Sequence, residues 1–191
     1  MKVVAFNGSP RKDGNTFMAL NIILDELKSE GIQTELFQLG SHQIRGCNAC
    51  FLCKKTGDGF CVIDSDIVNK SLSAIYESDG LIIGSPTYFG SVTPQVKAFI
   101  DRAGYCARAG GNKLKRKVAA SVAIARRAGS VNVCHEINNL FLLNQCIIPA
   151  SKYWNIGVAR EKGEILNDSE GIDIFKTLGS NMAWLLKKLN A

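Results

Sequence analysis

The sequence has no apolar run near the roughly 18 residues that a bilayer-spanning helix takes, and its opening "MKVVAFNGSP" is too short an apolar stretch for a secretory signal. A helical membrane span is thereby excluded, no membrane partner is expected, and the expected location is cytoplasmic. Neither the dinucleotide pattern GxGxxG nor the Walker pattern GxxxxGK[S/T] occurs, which removes the two commonest nucleotide-binding loops. Internal repeats and low-complexity segments are missing too, so residues 1–191 are expected to form one domain, with a cysteine-containing insertion at about 41–65. Histidine is scarce. His42 and His135 are the only two, and neither falls in a loop with ligand-binding character; both are expected to be surface or structural residues. The net charge of +6 is spread along the chain apart from "KLKRK" (113–117) and "ARR" (125–127), so a small anionic ligand suits it and no nucleic-acid partner is expected.

What is present is a chain of 191 residues, 46% of them hydrophobic, enough for a sizeable core. Its apolar pattern alternates between two periods. "KVVAFN" (2–7), "GLIIGS" (80–85) and "RKVAASVAI" (116–124) are short, nearly continuous apolar runs, as expected of parallel strands buried on both faces. "QTELFQL" (33–39) alternates like an outer strand, and a fifth strand is expected within 146–157. Helical patterns cover about 16–30, 66–77, 93–105, 130–144 and 169–189. Strand and helix in alternation predict an α/β fold, a doubly wound five-stranded parallel sheet with helices on both faces.

Ligands of such sheets bind where strands end and helices begin, and two loops stand there. The first, "NGSPRKDGNT" (7–16), combines flexible glycines, the donors Ser9, Asn15 and Thr16, the cation Arg11 and a following helix start, which together suit a phosphate. Read more plainly, it is a helix-capping turn with Asn15 or Thr16 as the cap. The second, "SPTYFGSVTPQVKAFIDR" (85–102), uses Pro86 and Gly90 to present Thr87, Tyr88 and Phe89, suited to a flat heteroaromatic ring. Taken alone, Tyr88 and Phe89 read as ordinary core aromatics.

Together the two loops resemble the NAD(P)H-dependent FMN reductase family, and the likeness covers most of the chain. It implies a flavodoxin-like fold and bound FMN, with NAD(P)H as co-substrate and a small-molecule electron acceptor such as flavin or quinone. It also implies that Ser9, Arg11, Asn15 and Thr16 hold the FMN phosphate and that Pro86, Thr87, Tyr88, Phe89 and Gly90 border the ring. By position, a third flavin loop, "ARRAGSV" (125–131), adds Arg126 and Gly129; read more plainly, Arg126 and Arg127 are a solvated pair. The cofactor carries the chemistry, so no catalytic acid or base is assigned.

Four of the seven cysteines, Cys47, Cys50, Cys53 and Cys61, crowd into fifteen residues with the spacing C-x2-C-x2-C-x7-C. In a reducing compartment such crowding suits metal binding, catalysis or plain burial rather than structural disulfides. The spacing is closer to ferredoxins than to zinc ribbons, although the trailing Cys-Pro of ferredoxins is missing. The run resembles the compact motif of iron-sulfur flavoproteins, which implies a [4Fe-4S] cluster on these four residues; related reductases keep cysteines here without one. Cys106, Cys134 and Cys146 read as core thiols.

Three functions stay open: an FMN-dependent reductase, which needs only the flavin motifs; an iron-sulfur flavoprotein exchanging electrons with a protein such as ferredoxin; and a thiol-based redox-sensing module. The resemblance further implies a homodimer or homotetramer. Tyr153 and Trp154 of "SKYWNIGVAR" (151–160) stand as its contact residues, or else as core aromatics.

Overall fold

The structure is a computed structural model that describes residues 1–190. Five parallel strands, β1 (Lys2–Asn7), β2 (Gln33–Gln38), β3 (Gly80–Pro86), β4 (Val118–Ala125) and β5 (Ile156–Val158), lie in the order β2-β1-β3-β4-β5. The helices are α1 (Asn15–Ser29), α2 (Leu52–Thr56), α3 (Val68–Tyr76), α4 (Pro94–Ala109), α5 (Ser130–Leu143) and α6 (Ser169–Leu189).

The continuous apolar runs have the reason expected of them, because successive side chains serve two separate cores. Val3, Ala5 and Ile82 pack with α1 and α6, among Leu20, Ile23, Phe175 and Met182. Val4, Phe6, Leu81 and Ile83 pack on the other face with α3, α4 and α5, where Phe6 contacts Phe37 and Phe99 at ring-centroid distances of 5.4 and 5.2 Å. Edge strand β2 does not alternate as a one-sided strand would: Phe37 joins the core of α3, α4 and α5, half-buried Leu36 packs against that of α1 and α6, and Gln33 and Glu35 stay exposed.

The fifth strand differs from the expected 146–157. Ile147 pairs with Val118, the chain then leaves the sheet, and regular pairing resumes only at Ile156 against Ala123. Pro149 explains the break: it has no N–H to continue the ladder. The displaced segment holds Tyr153 and Trp154, which are exposed and stack edge-on at 4.6 Å, so neither fills this chain's core. A second difference is α2, a single short helix inside the cysteine segment that no periodicity announced.

Candidate functional site

At the C-terminal edge of the sheet a cleft of about 180 Å3 is lined by Ser9, Arg11, Asn15, Thr16, Pro86, Thr87, Tyr88, Ile124, Arg126, Ala159 and Arg160. Three loops distant in sequence thus meet where the resemblance put the FMN. Arg11 and Arg126 are exposed and bring two positive charges to it, while Ser9 and Thr16 are buried.

The phosphate-type loop is held from beneath by residues that sequence reading missed. Asn7, at the end of β1, accepts the Ser9 N–H on Oδ1 (3.1 Å) and donates to Gln38 Oε1 (2.6 Å), whose own Nε2 donates to the Ser9 carbonyl (2.6 Å). Gly8 leaves no room for a side chain, since a Cβ there would lie 2.2 Å from Val96 Cγ2 and 2.7 Å from the Gly84 carbonyl. The Ser9 hydroxyl accepts the Arg11 N–H (3.1 Å), which leaves its own proton to donate.

Neither Asn15 nor Thr16 caps α1. Gly14 occupies the cap position and no side chain satisfies the first-turn amides, as a helix start that receives an anion requires. The Asn15 side chain does something else: Nδ2 donates to the Glu161 carbonyl (2.8 Å) and Oδ1 accepts from Gly163 N–H (2.8 Å). It straps the segment after β5 to the cleft, and that strap delivers Ala159 and Arg160, a fourth contributor absent from the sequence reading. An acidic or amide residue opening a helix signals a cap far more often than a strap to a distant loop, so nothing local announced it.

The second loop ends in a two-residue hairpin. Tyr88 and Ser91 exchange backbone hydrogen bonds (2.9 and 3.0 Å) around Phe89 and Gly90, which have φ of 50° and 78°. That is the mirror-image turn that favours glycine, and a phenylalanine in it is unusual. Phe89 is fully exposed at the tip and Tyr88 is 44% exposed, so the core-aromatic reading of both is wrong. Phe89, Gly90 and Gly129 do not line the cleft; they border it, Gly129 (φ 89°) lying so close to Thr87 and Gly90 that a Cβ would approach both at 3.2 Å. Thr93 joins the two loops. Its hydroxyl donates to the Gly8 carbonyl (2.9 Å) and accepts from the Val96 N–H (3.4 Å), capping α4. The Thr-Pro pair ahead of that helix was the available signal.

These features fit a phosphate-bearing heteroaromatic cofactor. The Thr87 hydroxyl is buried without a hydrogen-bond partner among the described residues, and it sits in the cleft wall with the uncapped helix start and three arginines. His42 and His135 are exposed and line no part of the cleft.

A second cavity, of about 250 Å3, brings Cys47, Cys50, Cys53 and Cys61 together with Phe51, Arg102, Tyr105 and Cys106. No three His, Cys, Asp or Glu side chains among the described residues close on a single-ion site. The four thiols line one cavity, and a set of four soft thiolate ligands is the donor chemistry that an iron-sulfur cluster takes. Left-handed backbone at Ala49 (φ 54°) and Phe51 (φ 56°) turns the chain so that Cys47, Cys50 and Cys53 share this wall. Phe51 packs edge-on against Tyr105 of α4 at 5.9 Å.

Cys61 is fixed most firmly. Its N–H donates to Asn69 Oδ1 (2.9 Å), its carbonyl accepts from Asn69 Nδ2 (2.7 Å), and its sulfur accepts from Arg102 Nε (3.4 Å). Arg102 is 1% exposed, ion-paired with Asp66, and donates to the carbonyls of Arg45 (3.1 Å) and Ile63 (2.6 Å). Burial works against the Asp66 carboxylate, but the hydrogen bonds from Arg102 and Val68 and the Arg102 charge outweigh it, and its pKa is lowered. Cys106 is a core thiol as expected, but it also lines this cavity; burial and then the neighbouring Cys53 and Cys61 push its pKa upward, so it keeps its proton. Cys134 and Cys146 lie apart, both pushed up to about 11 by burial.

A larger groove of about 770 Å3 runs along α4 and α5. There Lys97 pairs with Asp101 and Glu136 accepts from Ser91, and Asn144, whose Oδ1 is buried without a hydrogen-bond partner among the described residues, lines it beside Lys54 and Arg108.

The model of the family described as NADPH-dependent FMN reductase matches residues 1–161. This chain belongs to that family. It is 34% identical to iron-sulfur flavoprotein MJ1083 of Methanocaldococcus jannaschii over 194 residues, 98% of both chains. It is 38% identical to an iron-sulfur flavoprotein of Archaeoglobus fulgidus over 152 residues, 79% of this chain and 73% of the relative. In fold it is similar to RosB crystallised with an 8-demethyl-8-formylriboflavin-5'-phosphate intermediate (TM-score 0.74, 18% identity, 100% of this chain and 80% of that one). An archaeal flavodoxin superposes with a TM-score of 0.64 at 13% identity over 98% and 99% of the chains. The fold is flavodoxin-like, and the protein is a flavin-dependent oxidoreductase by family.

Proposed function

We propose that the protein is an iron-sulfur flavoprotein, which passes electrons between a protein donor such as ferredoxin and an acceptor. In this reading FMN occupies the cleft and Cys47, Cys50, Cys53 and Cys61 hold a [4Fe-4S] cluster. The observation that carries it is the convergence of the four motif thiols on one cavity walled by α4, the helix whose cap also ties down both flavin loops. From Thr93 to Arg102 the helix rises roughly 14 Å, so one rigid element spans the two sites. The full-length likeness to named iron-sulfur flavoproteins supports this over the plain reductase that the flavin motifs alone suggest.

Bound FMN would supply the exchange between two-electron and one-electron partners. The chain's own residues bind and orient. Ser9, Arg11 and the first-turn amides of α1 offer donors to the phosphate, and Thr87 offers its unpartnered hydroxyl beside Pro86 and Tyr88. Arg126 brings a positive charge that favours an anionic ring.

The family description keeps the plain NADPH-dependent reductase as the second reading. Anaerobic titration with dithionite separates the two: FMN plus a cluster takes up about three electrons per chain, FMN alone about two. Steady NADPH oxidation with a count of two would favour the reductase.

A further inference from the structure

We infer that Arg102 is the positioning residue of the Cys61 sulfur and sets how readily the cysteine site accepts an electron. The inference rests on reading the four cysteines as cluster ligands, but its content comes from the chain's own contacts. Of the residues around the cavity, Arg102 is a fully buried cation, and its guanidinium is committed on every nitrogen. Nε donates to Cys61 Sγ (3.4 Å), Nη1 to Asp66 and the Arg45 carbonyl, and Nη2 to the Ile63 carbonyl. Those acceptors come from both sides of the cysteine segment, residues 45 and 61–66, while Arg102 itself stands on α4. A planar fork with five donors can close such a set; a lysine ammonium, a compact point charge, would not reach all four acceptors.

Two consequences follow. Asn69 already fixes the Cys61 backbone, so the bond from Arg102 fixes the remaining freedom, the direction of its sulfur. A hydrogen bond and a positive charge at a ligand sulfur also withdraw electron density, which favours the state with one electron more. Asp66 opposes that charge through its ion pair with Nη1. Arg102 and its ion-pair partner are thus set against each other, and their removal has opposite signs.

The test compares Arg102→Gln and Asp66→Asn with the unaltered holoprotein, all prepared anaerobically. Iron and FMN are counted first, folding is checked by circular dichroism, and the midpoint potential of the iron chromophore is measured by titration with dithionite, one electron per site. Asp66→Asn should raise the potential and Arg102→Gln lower it, each by about a tenfold change in the reduced-to-oxidised ratio, 59 mV for one electron. Loss of iron from Arg102→Gln with FMN retained supports the positioning role. Should that variant fail to fold, the upward shift in Asp66→Asn decides alone. Potentials unmoved, or moved in the same direction by both variants, overturn the inference while leaving the cluster reading intact. An unaltered protein without iron overturns both.

Discussion

Replacing Thr93 by valine removes one hydroxyl and keeps the shape, and that hydroxyl is the link between the two flavin loops. It is 0% exposed, donates to the Gly8 carbonyl at 2.9 Å and caps α4 at Val96. Losing an N-cap costs about 1 kcal/mol. Leaving the Gly8 carbonyl short of a donor in a dry site costs about 1–3 kcal/mol more. The sum, about 2–4 kcal/mol, corresponds to a fall in melting temperature of roughly 4–16 °C for a chain of this size. FMN affinity should fall as well, because the Gly8–Ser9 backbone would be free to shift by tenths of an ångström. Thermal and urea unfolding of the flavin-free protein give the stability change, and quenching of flavin fluorescence gives the affinity. Thr93→Ser, which keeps the hydroxyl, should recover most of both. A Thr93→Val protein within 0.5 kcal/mol of the parent and equal to it in FMN affinity would refute the coupling of the loops.

Arg11→Ala should weaken FMN binding about tenfold or more by removing a charge-assisted contact of about 1.5–3 kcal/mol, read by equilibrium titration with FMN. Gly8→Ala should cost stability well beyond an exposed substitution, since its Cβ would meet a backbone carbonyl at 2.7 Å, and urea unfolding will show it. Asp66 has a lowered folded-state pKa, so its contribution to stability is present above the ordinary aspartate value of about 3.9 and is lost as pH falls through the lower folded value. Asp66→Asn should flatten that acid limb of the stability profile. We also propose that exposed Tyr153 and Trp154 form a contact between copies; Trp154→Ser should shift light-scattering mass downward, and a parent that is monomeric at micromolar concentration would contradict it.

Sequence periodicity carried the fold because each inner strand is buried on both faces and each long helix on one, so composition reports position directly. It carried less at β5, where Pro149 breaks the ladder, and nothing at α2, too short to show a period. Of the cleft, Ser9, Arg11, Asn15, Thr16, Pro86, Thr87, Tyr88 and Arg126 were legible from motifs. Asn7, Gln38 and Arg160 were not, because their roles depend on which strand ends lie side by side. Arg102 closes a quoted motif, but nothing local in the sequence marks it as buried. Its burial comes from the cysteine segment folding back over α4, a contact between residues 36–57 positions apart.

The central claim is that one chain holds both FMN and a cluster on four named thiols. Iron, acid-labile sulfide and flavin counted per chain on anaerobically purified protein test it most directly, alongside the four single Cys→Ser variants. The expected result is about four iron and four sulfide atoms with one FMN, and loss of iron but not of FMN on replacing Cys47, Cys50, Cys53 or Cys61 by serine, whose hard hydroxyl replaces a soft thiolate poorly. Protein that stays free of iron after anaerobic reconstitution, with all four thiols titrating as free and flavin reduced normally by NADPH, would contradict it.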